Sequence, residues 1–188
     1  MKAFCTRGFF PLVLLALLGL ALPAGATVVR FLSMEEHIGL SQLIVRVRAG
    51  NASTTTSEKD GRPRTDRRYT IVETYKGGYG PGKEIVVRQM RGNTAEGMLA
   101  IPGDPELREG EEAILFLATD DKGFAYLTAL AQSKYNVTRD RSGAWVQRNF
   151  DGLAFAMGED GLVVEPGDEA PVSLELFEKT LATIMQGK

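Results

Sequence analysis

Four arginines within seven residues are the side chains of this sequence best suited to bind a ligand. They are Arg62, Arg64, Arg67 and Arg68. Guanidinium groups form paired, charge-assisted hydrogen bonds with carboxylates and phosphates. The cluster therefore predicts a binding site for an anionic group of a partner, and the alternative is a charged loop that only keeps the chain soluble.

Catalytic and metal chemistry have few candidate residues in this chain. His37, which follows Glu35 and Glu36, is the one histidine, so neither a two-histidine zinc helix nor a three-histidine site can be assembled. No serine lies in a Gly-x-Ser-x-Gly elbow. We expect His37 to be structural or solvent-facing, and we expect no catalytic residues, no metal and no cofactor.

Acidic residues occur in three groups. They are Glu109, Glu111 and Glu112, then Asp120 and Asp121, then Glu159, Asp160, Glu165, Asp168 and Glu169. A glycosidase needs two carboxylates at a fixed separation across a cleft. Because these residues mostly lie beside glycines in turn-like sequence, we expect solvated turns. A loose calcium site in residues 159–169 is the alternative, although no EF-hand loop is present.

The N-terminus has the pattern of a secretory signal peptide. Lys2 and Arg7 precede an apolar run over residues 9–22, and Ala24-Gly25-Ala26 ends it as a cleavage site. The run is short for a transmembrane span. We expect residues 1–26 to be a signal peptide cleaved after Ala26, which predicts a secreted or periplasmic protein with no stable membrane span after processing.

The mature chain is expected to form a single domain, residues 27–188. Removal of 26 of the 188 residues leaves 162, and the formal charge falls from −2 to −4 because Lys2 and Arg7 leave with no acid. Cys5 is removed with them, so the mature domain has no cysteine for a disulfide and its stability depends on its apolar core. A mildly acidic protein is unsuited to binding nucleic acid.

Local patterns predict mostly strands between two helices. Ser33 and Glu36 form a capping box for a short helix from Met34 to about Ser41. Apolar residues at helical spacing after Ser173 indicate a terminal amphipathic helix. Alternating or continuous apolar runs predict strands over residues 43–49, 68–75, 84–89, 113–118, 124–128, 135–137 and 144–148.

Between these elements lie polar segments. Residues 50–66 form either a long loop or two fraying strand ends joined at Asp60-Gly61, and residues 158–170 are expected to be a surface linker. Short strands with a helix at each end predict a mainly β fold, a small OB-like antiparallel barrel with a short N-terminal helix and a C-terminal amphipathic helix. Closure of the barrel would remove edges prone to aggregation.

Residues 42–137 resemble known families in the order of their hydrophobic and turn segments. The segments are SQLIVRVRAG, RRYTIVETYKGG, KEIVVRQM, LREGEEAILFLATDDKGFAYL and AQSKYNV. This order resembles exported bacterial proteins and, more distantly, the netrin-like and metalloprotease-inhibitor group of OB-type barrels. The resemblance implies an OB-type fold. Inhibitors of that group chelate zinc through an N-terminal cysteine, whereas this mature chain would begin at Thr27 and has no cysteine.

These observations predict an exported, non-enzymatic binding or interaction module. The expected partner is a protein or peptide, and a secreted protease is one version of it. The alternatives are a glycan-processing enzyme that uses carboxylates, and a structural component of the envelope. A cleft with two facing carboxylates would favour the enzyme, whereas an exposed apolar patch beside the arginines would favour the interaction module.

Overall fold

The structure, a computed structural model, describes residues 26–57, 60–95, 97–157 and 161–187. The predicted signal peptide thus lies outside the described residues, except for Ala26. The strands are β1 (Thr27–Arg30), β2 (Leu43–Thr56), β3 (Pro63–Lys76), β4 (Glu84–Gln89), β5 (Gly92–Thr94), β6 (Gly97–Leu99), β7 (Glu112–Thr119), β8 (Phe124–Leu127), β9 (Lys134–Asp140), β10 (Gly143–Arg148), β11 (Leu153–Met157), β12 (Leu162–Val164) and β13 (Val172–Ser173). The helices are α1 (Met34–Leu40), a 3₁₀ turn (Leu130–Ser133) and α2 (Leu174–Gln186).

Five strands close into a barrel in the order β2, β3, β4, β8, β7 and back to β2. Four of the five pairings are antiparallel, and β4 with β8 is parallel. The mainly β, OB-like barrel with a helix near each end of the described chain is therefore confirmed. The parallel pair is a difference from the expected antiparallel barrel, and it arises because a closed ring of five strands cannot reverse direction at every pairing.

Strand β7 separates two apolar cores. Ala113, Leu115 and Leu117 point into the barrel, where they meet the inward residues of β2, β3, β4 and β8. Ile114 and Phe116 point outward and pack under α1 and α2. Both faces of β7 are thus buried, which explains the continuous apolar run of its sequence.

Strand β7 also connects the barrel to an outer sheet. It pairs with β9, which is followed by β10 and β13. Helix α2 lies over this sheet with Phe177 and Leu181 buried, as the spacing predicted. Helix α1 begins with the predicted capping box, in which Ser33 accepts from the Glu36 amide and Glu36 accepts from the Ser33 amide. Burial of both helices against the sheet supplies most of their stability.

Three segments need comment. For residues 50–66, the sequence left a loop and two strand ends open, and the strand ends are correct: β2 and β3 pair as far as Thr56 and Pro63, while residues 58–59 lie outside the described residues. Within the expected linker, residues 162–164 form β12, while residues 158–160 lie outside the described residues. β1 and β11 were not predicted, and they pair in parallel in a small sheet with β12.

Candidate functional site

A cleft of about 440 Å³, the barrel-end cleft, opens where the β2–β3 hairpin extends beyond the barrel core. On β3, Thr65 and Arg67 continue the row of inward residues that begins with buried Tyr69. Side chains alternate along a strand, so these residues face the lumen side of the hairpin. They lie beyond the apolar core, and a polar cleft forms there instead.

Threonine hydroxyls and backbone carbonyls order one wall of the cleft. The hydroxyl oxygens of Thr54 and Thr65 are 3.0 Å apart, and Thr65 donates to the carbonyl of Arg91 at 2.9 Å. Thr54 must then be the donor to Thr65. This chain fixes the C-terminal end of β4 against the hairpin and so positions the Arg91 side chain.

The opposite wall is the β5–β6 hairpin, which rests on Gly92. A Cβ at this residue would lie 2.5 Å from Cγ2 of Thr54 and 2.9 Å from Cβ of Pro63, and its φ is +145°. Only glycine fits this contact without strain. The hairpin brings Asn93 and the exposed Met98 to the rim of the cleft.

Two guanidinium groups give the cleft its positive charge. Arg67 donates to the carbonyl of Gly50 at 2.7 Å, and Arg91 lies 3.7 Å from the carboxylate of Glu106. The Arg91 side chain is 14% exposed. Two cations face one anion here, so the cleft can accept a carboxylate or phosphate by adding charge-assisted hydrogen bonds.

The other three arginines of the sequence cluster lie elsewhere. Arg64 and Arg68 point to the outer face of β3, where they pair with Asp60 at 3.1 Å and Glu84 at 3.4 Å. Arg62 contacts the sulfur of Met90 at 3.8 Å. Arg64, Arg67 and Arg68 all belong to β3 rather than to a loop, and alternation along the strand places Arg67 on the face opposite to Arg64 and Arg68. Arg67 is the member that lines the cleft.

A second polar pocket of about 330 Å³ adjoins the cleft and shares Arg91 and Glu106 with it. It also contains Asp104, Lys134 and Asp151. Burial raises the pKa of Asp104 and lowers the pKa of Lys134. Both shifts favour the neutral forms, as desolvation does.

Gln89 holds Asp104 in this pocket. The Gln89 amide donates to Oδ1 of Asp104 and to the carbonyl of Pro105, both at 2.8 Å. Oδ2 of Asp104 is buried without a hydrogen-bond partner among the described residues. The carboxyl group is therefore fixed by one oxygen and leaves the other for a proton or a ligand.

His37 is a core residue. Its ring is fully buried, lies on Phe116 at 4.8 Å between centroids, and has Nε2 3.2 Å from the Ser133 hydroxyl. Burial, assisted by the charge of Arg148, lowers the pKa of His37 to about 4. The expected structural role fits this position, whereas the solvent-facing alternative does not.

Glu112 corrects the expectation that the acidic residues are solvated. It begins β7, its side chain is 7% exposed, and Arg46, Arg48 and Arg139 surround it. Burial would raise the pKa of Glu112, but the hydrogen bonds and charge of Arg139 and the other guanidinium charges lower it. The residue is the centre of an ion-pair network on the barrel wall.

Sequence reasoning missed most of the cleft residues. Gln89 ends β4, Arg91 lies between β4 and β5, and Glu106 lies between β6 and β7 with Asp104 of the adjoining pocket; no local motif links them. One signal was available, because Gln89 follows Ile85 and Val87 at inward positions of β4. A polar residue at an inward position indicates the end of a core or a site.

Comparisons with known proteins assign this chain to no family. No family model matches the chain, and no curated protein is significantly similar to it. Within the described ranges, no three His, Cys, Asp or Glu residues form a group that could hold a metal ion. None of the helices in the described part of the chain combines the length and hydropathy needed to cross a bilayer.

Proposed function

We propose that this protein is an exported binding module that recognises an acidic segment of a protein or peptide in the barrel-end cleft. The observation that carries the proposal is the pair Arg67 and Arg91 in one hydroxyl-rich cleft with Met98 exposed at its rim. Export rests on the sequence pattern of residues 1–26.

The chemistry of the cleft favours an extended chain with alternating acidic and apolar residues. Carboxylates of such a chain would meet the two guanidinium groups, while an apolar side chain would cover Met98, which is 69% exposed. The threonine hydroxyls and the Asn93 amide can hydrogen-bond to its backbone. Arginine and exposed apolar residues together are typical of protein interfaces.

Fluorescence anisotropy with two labelled peptides tests this function. One peptide alternates glutamate and leucine, and the other alternates lysine and leucine. We expect the glutamate peptide to bind and its affinity to fall with added salt. Arg91→Gln should weaken it about tenfold, because a hydrogen bond to a charged group contributes about 1.5–3 kcal/mol. Equal binding of both peptides, or no effect of Arg91→Gln, would contradict the proposal.

The adjoining pocket supports a second candidate, a glycan-processing enzyme. Asp104, Glu106 and Asp151 line the same pocket, and burial raises the pKa of Asp104, as a general acid requires. Chromogenic aryl glycosides test it with the wild-type protein and Asp104→Asn. Hydrolysis that is lost in the variant would favour the enzyme over the binding module.

A further inference from the structure

An apolar groove of about 360 Å³ lies on the face of the outer sheet that points away from the barrel lumen. It is distinct from the cleft and from the adjoining polar pocket. Its walls are apolar and come from the start of α1, from β10 and β13, and from the first turns of α2. The wall residues are Met34, Val146, Val172, Leu176 and Phe177. Val172 and Leu176 are 37% and 54% exposed, so the groove opens to solvent between them.

A buried arginine forms the polar end of this groove. The side chain of Arg148 is 5% exposed, and its Nη2 donates to the carboxylate of Glu169. Nε and Nη1 are buried without a hydrogen-bond partner among the described residues. The rings of Tyr135, Phe150 and Phe31 lie 5.0, 4.8 and 5.3 Å from Cζ. The rings stabilise the charge, but two of the three guanidinium nitrogens have no acceptor within the described part of the chain.

Glu169 is a counter-ion that can be replaced without moving the backbone. Its amide donates to the carbonyl of Arg148 at 3.2 Å, and its carbonyl accepts from Gln147 at 3.0 Å. These bonds hold the main chain on β10, while the side chain is 40% exposed. Rotation of that side chain into solvent would uncover the guanidinium and leave the groove walls unchanged.

We propose that this groove binds a fatty acid, whose carboxylate replaces that of Glu169 on Arg148 and whose acyl chain lies between Val172 and Leu176. A carboxylate on a free chain can approach the guanidinium end-on and accept from Nη1 and Nη2 together. In the structure the Glu169 carboxylate accepts from Nη2, and its main chain is hydrogen-bonded to β10. The apolar walls bury the chain and so favour a fatty acid over a short carboxylate. This site is separate from the barrel-end cleft and does not depend on its function.

Isothermal titration calorimetry with decanoate, decan-1-ol and acetate tests the proposal on the mature protein. We expect decanoate to bind, decan-1-ol to bind at least tenfold more weakly for lack of the charge, and acetate to give no measurable binding. Equal affinities for decanoate and decan-1-ol would overturn the proposal. So would binding of a peptide with a C-terminal leucine in place of decanoate, which would assign the groove to a chain terminus.

Variants at the two ends of the groove make the test specific. Glu169→Gln should bind decanoate about tenfold more tightly, because an amide competes less well than a carboxylate for Arg148. Leu176→Ser should weaken binding about tenfold. Leu40→Ser is its matched control, since Leu40 is 55% exposed at the end of α1 and does not line the groove.

The shift in Tm on adding decanoate tests binding even in variants whose stability is reduced. Glu169→Gln leaves a buried guanidinium without its counter-ion, so decanoate should raise its Tm more than that of the wild type. An equal or smaller rise in Tm, unchanged affinity in Glu169→Gln, or a loss in Leu40→Ser as large as in Leu176→Ser would overturn the proposal.

Discussion

Arg67 and Arg68 are neighbours in the chain, but their guanidinium groups lie on opposite faces of β3. Arg67 donates to the Gly50 carbonyl beside the barrel-end cleft, and Arg68 pairs with Glu84 on the outer face. The two residues carry the same charge on the same strand. Substitution of Arg68 is therefore a control for substitution of Arg67, because it removes the same charge from the same strand but outside the cleft.

The first prediction uses this pair. Arg67→Gln should weaken binding of the glutamate–leucine peptide about tenfold, or about 1.4 kcal/mol, because it removes one of two cations in the cleft. Arg68→Gln should leave binding within twofold, since its exposed ion pair contributes little. Anisotropy titrations measure both, with thermal unfolding to check that each variant is folded. Equal losses would point to a diffuse charge effect rather than the cleft.

A second prediction concerns the wall of the cleft. Gly92→Ala should lower the free energy of unfolding by about 2–4 kcal/mol, because a positive φ and a clash with Thr54 and Pro63 act together. Gly97→Ala has a similar φ of +134° and no atom within 4 Å of the added Cβ. It should show the smaller loss due to backbone strain. Urea denaturation compares the two, and equal losses would mean that the contact with Thr54 adjusts.

Helix α2 provides a third prediction. Leu181→Ala should lower the free energy of unfolding by about 2–5 kcal/mol, since Leu181 is fully buried between α2 and the outer sheet. Leu176→Ala, at the residue just before the buried Phe177 but itself 54% exposed, should change the free energy of unfolding by less than about 0.5 kcal/mol. Chemical denaturation monitored by circular dichroism measures both. Similar effects would show that the helix is not docked as described.

The fourth prediction is a pH dependence from His37. Its pKa falls from 6.5 to about 4 on folding, mainly through burial. Below pH 6.5 the unfolded chain binds a proton that the folded chain does not, so stability is full above this pH and declines as the pH falls toward 4. Between pH 7 and pH 5 the loss should be about 2 kcal/mol.

The control for this prediction is His37→Gln, which has no group that titrates in that range. Its free energy of unfolding should change less between pH 7 and pH 5 than that of the wild type. Parallel curves for the two proteins would assign the dependence to carboxyl groups instead.

The parts of the fold that sequence could predict are those with local signals. The capping box at Ser33, the spacing of Phe177 and Leu181, and the apolar run of β7 each identify their element within a short window. The pairing of β1 with β11 has no such signal, because its two strands are distant in sequence. The polar ends of β2 and β3 extend into solvent, so they lack the apolar alternation that marks a strand.

The candidate site was less predictable for the same reason. The arginine cluster is visible in the sequence, but which of its members faces the cleft depends on the alternation of side chains along β3, and Arg91 comes from the connection between β4 and β5. Arg148 resembles Gln89, since each is a buried polar residue two positions after a buried apolar residue on the same face of its strand, Val146 and Val87. Both mark places where the core ends against a pocket.

The position of β7 determines when the barrel can form during folding. Strands β2, β3 and β4 pair with their neighbours in sequence, but Leu43 must find Leu117 before the lumen is enclosed. Such non-local pairing is slow. A β2–β3–β4 meander alone would leave the lumen side chains of Val45, Val47 and Ile71 exposed to water, so the apolar core of the barrel is complete only when β7 pairs with β2.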